Sequence, residues 1–299
     1  MVDFSSLKKS SNSLDRLTKE IEKINAPATS ESREDTRFWK LERDKSGNGS
    51  AVIRFLPAPA VDGDDALPWV RVFDHGFKGP TGKWYIEKSL TTIGQKDPVS
   101  ELNSQLWNST TDDNSPQRKQ ARAQKRRLSY ISNILVVSDP KHPENEGKVF
   151  LFKFGKKIFD KITLLMNPEF EGDKPVNPFD LWNGANFKIR IRTVDGYPNY
   201  EQSIFESPSA ISSDDEKLEK LWKSEYGLKE FVEPKNFKSY DELKKHLEVV
   251  LGDTSAPSRE KADDVFKSTS KRQSVVEEDS APFSTDDDDD LAAFKALAD

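Results

Sequence analysis

Hydrophobic and polar positions alternate with a period of two through much of the middle of this chain. "SAVIRFLP", "WVRVF", "GKWYIE", "LSYISNILVV", "KVFLFKF" and "ANFKIRIRTV" each place apolar side chains on every second residue or in short apolar runs, the pattern of half-buried strands. "RFWKLE" and "SAVIRFLP" flank the Gly/Asn-rich "RDKSGNG", which predicts a hairpin. A second hairpin is expected at "DG" before "YPNY". The period changes to that of a helix in "KKIFDKITLLM", where Ile158, Ile162 and Leu165 share one side. Two more helices are expected in "SDDEKLEKLW" and "SYDELKKHLEVVLG", with capping boxes Ser213–Glu216 and Ser239–Glu242 and a stop at Gly252. Another is expected in "SLDRLTKEIEKI", with Leu14, Leu17, Ile21 and Ile24 on one face. Residues 90–117 are polar and show no clear period, which predicts a flap or insertion. The fold class expected is mainly β with α, a barrel or sandwich. Three regions are expected: an N-terminal segment 1–36, a core 37–252 containing a subdomain at 86–117, and a disordered tail 253–299.

Composition supports this division. Of 299 residues, 34% are hydrophobic and 33% charged, enough for a core but not along the whole length. The net charge of −6 is unevenly spread. Residues 251–299 carry 13 acidic and 6 basic side chains, whereas residues 117–161 carry 12 basic and 4 acidic ones. There is no cysteine, which excludes disulfides and thiolate metal sites. No secretory h-region and no apolar run of membrane-spanning length are present, so a cytoplasmic protein without a membrane partner is expected. Phosphate-loop, zinc-protease and nucleophile-elbow motifs are missing, and His75, His142 and His246 are far apart, so no enzyme is expected.

The basic stretch "QRKQARAQKRRLSY" holds six cations and no acid, and runs into a strand. Around it lie the alternating Phe150, Phe152 and Phe154, the strand face Lys188, Arg190 and Arg192, the tyrosines Tyr197 and Tyr200, and Lys83, Trp84 and Tyr85. Cationic strand faces interleaved with aromatics are what a groove for unpaired nucleic acid requires: the cations neutralise phosphates and the rings stack on bases of any identity. Phe150 and Phe154 are the members of the series expected in the core.

"AVIRFLP", "HGFKGPTGKWYIE", "SYISNILVVSDPKHPENEGKVFLFKFGKKIFDKI" and "GANFKIRIRTVDGYPNY" closely resemble, in this order, the helix-destabilising single-stranded DNA-binding proteins of T4-like bacteriophages. The resemblance spans residues 37–252 and implies an OB-fold core, a five-stranded Greek-key barrel flanked by functional tails. It implies DNA-binding roles for Trp84, Tyr85, Lys125, Arg126, Arg127, Tyr130, Phe152, Tyr197 and Tyr200, to which the pattern of cations adds Lys83, Lys153, Lys156, Arg190 and Arg192. It implies that Lys8, Lys9, Ser10 and Ser11 ("KKSS") contact the neighbouring copy on the strand; in the related core motif "KRRLS", Leu128 replaces a hydroxyl residue. The tail Asp286, Asp287, Asp288, Asp289 and Asp290, with Leu291, Phe294 and Leu297, is expected to compete with DNA and to recruit replication and recombination proteins. The best-known relatives bind zinc through a histidine and three cysteines. Here His75 stands without them, so no metal or other cofactor is expected, and Leu90, Ile93, Leu102, Leu106 and Trp107 are expected to hold residues 86–117 by packing. The function expected is cooperative, sequence-independent coating of single-stranded DNA in phage replication, recombination and repair in the host cytoplasm. The alternatives are an RNA-binding translational repressor using the same groove and, third, an enzyme acting on nucleic acid.

Overall fold

The computed structural model describes residues 35–194 and 196–252. The chain's expected N-terminal helix, its "KKSS" motif and its acidic tail lie outside the described residues. Eight strands form one antiparallel, branched sheet: β1 (Gly49–Phe55), β2 (Val70–Lys78), β3 (Trp84–Lys88), β4 (Arg127–Ser138), β5 (Val149–Phe154), β6 (Phe187–Val194), β7 (Tyr197–Asn199) and β8 (Ile204–Phe205). The sheet turns on β4. One edge of this strand pairs with β2 over residues 127–131 and then with β1 over 134–138, while the other edge pairs with β5 over 130–135. A long strand with successive partners along one edge curls the sheet, as in an OB-like half-barrel. Its concave side holds the main core, including Trp39, Ile53, Phe55, Ile134, Phe154, Phe187 and Ile189. Helix α3 (Lys156–Met166) packs Ile158 and Ile162 into that core, as its period predicts.

The expected hairpin between "RFWKLE" and β1 does not form. Both edges of β1 are already occupied, by β4 and β6. The segment instead makes a single bridge from Phe38 to Leu151, and the Trp39 indole N–H donates to Asp139 at 2.8 Å. Residues 86–117 are not a flap. They contain a 3-10 turn (Leu90–Ile93) and two helices, α1 (Pro98–Asn108) and α2 (Pro116–Ala123). Both helices start from a signal that apolar periodicity does not register: an N-cap followed by proline, Asp97-Pro98 and Ser115-Pro116. Leu90, Ile93 and Leu102 pack as expected against Phe77, Tyr85 and helix α5 (Tyr240–Leu251). Leu106 is half-buried. Trp107 holds α2 by a different contact, with Arg118 and Arg122 at 4.4 and 5.4 Å from its ring. Helix α4 (Asp215–Lys223) is capped by Asp214, one residue after the expected Ser213, because the Asp214 carboxylate accepts from the Glu216 and Lys217 N–H groups. The capping box of α5 and the left-handed Gly252 at its end form as expected.

A buried polar hub joins this subdomain to β2. His75 Nε2 lies 3.1 Å from Asp97, and its Nδ1 lies 3.2 Å from the Gln124 carbonyl. Asp97 also caps α1 and accepts from the Leu90 N–H. Burial tends to raise the Asp97 carboxyl pKa, but the His75 hydrogen bond and charge and the Ser100 and Leu90 N–H donors outweigh it and hold the group at about 2. Both ring nitrogens of His75 are therefore engaged, and among the described residues no group of three His, Cys, Asp or Glu is placed to hold a metal. These residues do not fit the zinc that the resemblance would imply. Dialysis against a chelator is expected to leave the melting temperature unchanged; a loss of several degrees, reversed by zinc, would contradict this.

Two buried ionisable groups bear on the stability. Arg54, on β1, is fully buried and donates to the Asp180 and Ser209 carbonyls at 2.9 and 2.8 Å. Glu225 is buried with neither carboxylate oxygen hydrogen-bonded, and burial pushes its pKa up from 4.5 to about 9. The folded state thus holds a proton between these values that the unfolded state releases. Stability should fall as pH rises from about 4.5 to about 9, by roughly 1.4 kcal/mol per pH unit for this group. Glu225→Gln is expected to remove that slope and raise the melting temperature at pH 8 more than at pH 5; parallel melts at the two values check it.

Candidate nucleic-acid interface

Strands β2 and β4 lie side by side with Phe73 opposite Leu128 and Arg71 opposite Tyr130. The alternation of each strand therefore puts Arg71, Phe73, Leu128 and Tyr130 on one face. The Arg126 guanidinium lies over the Phe73 ring at 4.1 Å, and that of Arg71 at 5.4 Å. A guanidinium held over a ring keeps in-plane N–H donors for other acceptors, and the ring restrains the side chain in advance. The Tyr130 ring stacks on Phe159 of α3 at 3.9 Å with 3° between planes, and Trp69 continues the series 5.5 Å from Phe159. Arg126 and Arg71 thus stand over the buried Phe73, beside an aromatic row of buried Tyr130 and half-buried Phe159 and Trp69 that packs on the main core. Lys125 precedes Arg126 in the chain, and Lys156, paired with Asp160 at 3.2 Å, stands at the start of the helix that carries Phe159.

The neighbouring Arg127 points the other way. Its Nε meets Asp74 at 3.1 Å, and Lys153 meets the same carboxylate at 2.9 Å, so two cations share one anion. The Arg127 guanidinium crosses over Gly76, where an added Cβ would lie 1.7 Å from a guanidinium nitrogen. A side chain there would displace the guanidinium. Register continues this face onto β3, where Gly76 opposes Ile86 and Lys78 opposes Trp84. Trp84 and Ile86 are 55% and 67% exposed on an edge strand, close in sequence to the exposed Lys83 and Lys88.

A third cationic face lies on β6. Phe187, Ile189 and Ile191 point into the core, so Lys188, Arg190 and Arg192 point out. Val194 opposes Tyr197, which places this half-exposed tyrosine on the same side as Arg190 and Arg192.

Three of the expected stacking residues, Tyr85, Phe152 and Tyr130, are core residues in the structure. Tyr85 is fully buried, stacked on Phe77 at 5.2 Å with its hydroxyl 3.5 Å from the Leu243 carbonyl. Phe152 lies in the main core against Trp39 at 5.5 Å. Their strands alternate as expected, but the face Tyr85 occupies is covered by α5 and that of Phe152 by the curl of the sheet. Phe154 is buried, as expected, and Phe150 packs half-buried against the core. Tyr130 is buried in the main core between Phe154 and Phe159, and Tyr200 packs half-buried against the core, where burial raises its hydroxyl pKa. Conversely, Arg71, Phe73, Trp69 and Phe159 belong to this cluster without having been singled out in the sequence. Their signal was present in "WVRVF", where tryptophan, arginine and phenylalanine stand at every second residue.

Comparison with known proteins follows the same outline. A family model described as "gp32 DNA binding protein like" matches residues 47–251. The chain is 42% identical over 244 residues to the single-stranded DNA-binding protein of Enterobacteria phage T4, covering 78% of each chain, and equally to that of Enterobacteria phage T2. It is also 42% identical over 101 residues to the single-stranded DNA-binding protein of Enterobacteria phage RB70, covering 33% of this chain and 79% of the relative.

Proposed function

Because the chain belongs to the gp32-like DNA-binding protein family, we propose that it is a non-enzymatic protein that binds single-stranded DNA without sequence preference. The observation that carries this reading is the surface on which Arg71 and Arg126 lie over Phe73 beside Tyr130, Phe159 and Trp69. Lys125, Arg126 and Arg71 would neutralise phosphates and release counterions. Exposed ring surface, including Trp84 and Tyr197, would stack on bases for roughly 1–3 kcal/mol each. Neither contact distinguishes one base from another. Duplex DNA hides its base faces, so binding favours the unpaired form and removes hairpins by mass action, without a nucleotide cofactor.

The finer reading is an OB-fold core with a working segment at each end. Lys8, Lys9, Ser10 and Ser11 contact the next copy on the strand. The acidic block Asp286–Asp290 competes for the cationic surface at low salt, and Leu291, Phe294 and Leu297 recruit replication, recombination and repair proteins in the cytoplasm of the infected host. Among the described residues no helix is long and apolar enough to cross a membrane.

Titration of long single-stranded DNA and RNA of equal length, with and without magnesium, tests the core reading. Tight, magnesium-independent DNA binding without cleavage is expected. Exclusive RNA binding would replace it with a translational repressor, and magnesium-dependent cleavage with an enzyme. A chain truncated after residue 284 should bind DNA more tightly at low salt and equally at high salt; identical curves at both would remove the tail's competitive role.

A further inference from the structure

A second surface has the opposite electrostatic character. A cleft of about 690 Å³ is lined by residues 57–60, 177–182 and α4. Trp182 and Trp222 line it and are 53% and 37% exposed. Their N–H groups are tied down, Trp182 to Asp215 at 3.0 Å and Trp222 to the Ala58 carbonyl at 2.8 Å. The indole bodies are thereby fixed as apolar walls. Asp64, Asp180, Asp215 and Glu219 also line the cleft, and no lysine or arginine does. Glu219 pairs with Lys223 on the exposed side of α4; Asp180 and Asp215 accept hydrogen bonds from the Trp182 backbone and ring.

Such a cleft repels phosphates and suits a segment that is apolar and basic at once. The two chain ends outside the described residues differ in this respect. The stretch 285–299 has six acidic side chains and one lysine. The stretch 1–12 has Phe4 and Leu7 beside Lys8 and Lys9, with Asp3 as its one acid. Lys9 stands 26 residues before Asp35, an extended reach of up to about 90 Å, enough to arrive at an adjacent molecule. We propose that the Trp182–Trp222 cleft receives residues 4–9 of a second copy bound next on the strand, Phe4 and Leu7 entering between the indoles and Lys8 and Lys9 facing the carboxylates. This rests on the reading that Lys8 and Lys9 serve cooperative binding, and it assigns them a receptor that lies apart from the cationic surface.

Charge reversal in the full chain tests it. Asp64→Lys with Glu219→Lys changes two exposed side chains and is expected to leave melting and binding to an oligonucleotide that seats one molecule nearly unchanged. Affinity for long single-stranded DNA should fall about tenfold or more. Adding Lys8→Glu and Lys9→Glu to the same chain should recover most of that loss, because the pairs re-form with signs exchanged. If Lys8→Glu with Lys9→Glu alone weakens long-strand binding while the cleft variant does not, the receptor lies elsewhere and the cooperative reading survives. If neither variant affects long strands, both are overturned. A photo-crosslinker replacing Phe4 provides a readout independent of folding of the cleft variant. Crosslinks between copies at residues 57–64 or 215–222 support the cleft, and crosslinks confined to other positions overturn it.

Discussion

Replacing Arg71 and Arg126 together by alanine is expected to weaken single-stranded DNA binding about a hundredfold and to make its salt dependence shallower by about 1.4 in the log–log slope. Each guanidinium is restrained over Phe73 at 5.4 and 4.1 Å, so little side-chain entropy remains to be lost when a phosphate arrives. A charge-assisted contact contributes roughly 1.4 kcal/mol or more, a factor of ten each. A single-strand phosphate contact carries a slope of about 0.7. The loss should be the same for every base composition, because phosphates carry no sequence. Arg118→Ala is the control: its guanidinium is engaged by the Trp107 ring at 4.4 Å and by Asp113. Slopes from titrations at several salt concentrations decide the matter. An unchanged slope in the double variant would reduce the Arg71–Arg126 surface to a solvated face.

Arg54→Leu is expected to lower the melting temperature by about 10 °C. Leucine fills the alkyl part of the site but removes the guanidinium's hydrogen bonds to the Asp180 and Ser209 carbonyls, the first of which keeps the Gly184 N–H. Two lost hydrogen bonds from a charged group cost about 1.5–3 kcal/mol each, and a chain of this size loses about 2–4 °C per kcal/mol. Arg54 bridges β1 to the segments around Asp180 and Ser209, the first of which walls the acidic cleft. The same variant should therefore show early protease cutting between residues 177 and 211, before the sheet opens. A melt and a timed digestion measure both, and a wild-type melt would mean the carbonyls find other donors.

Local pattern alone was enough to read seven of the eight described strands, helices α3, α4 and α5, the cap of α5, and the cationic strand positions. Each is recorded by neighbours within a few residues: a period of two in "KIRIR", a period near four in "KKIFDKITLLM", a Ser and a Glu three apart at Ser239. Residues 90–117 were harder, because α1 and α2 carry few apolar positions and announce themselves only by Asp97-Pro98 and Ser115-Pro116. Resemblance to phage single-stranded DNA-binding proteins was legible in long segments of unusual sequence.

What alternation states is which side chains share a face; whether that face meets water depends on what packs over it. Trp84 and Tyr85 are adjacent, yet α5 covers one and leaves the other exposed. Phe152 faces the main core because the sheet curls at β4 through pairings 53 to 86 residues apart. Arg126 and Arg127 read as equals in "QKRRLSY", but the first lies over Phe73 and the second is spent on Asp74, each partner supplied by β2. The acidic cleft joins residues from 57 to 222, which no local pattern connects. Strand and helix periods are set by backbone geometry within a few residues, whereas burial and charge pairing are set by contacts between distant segments, and only the folded chain brings those together.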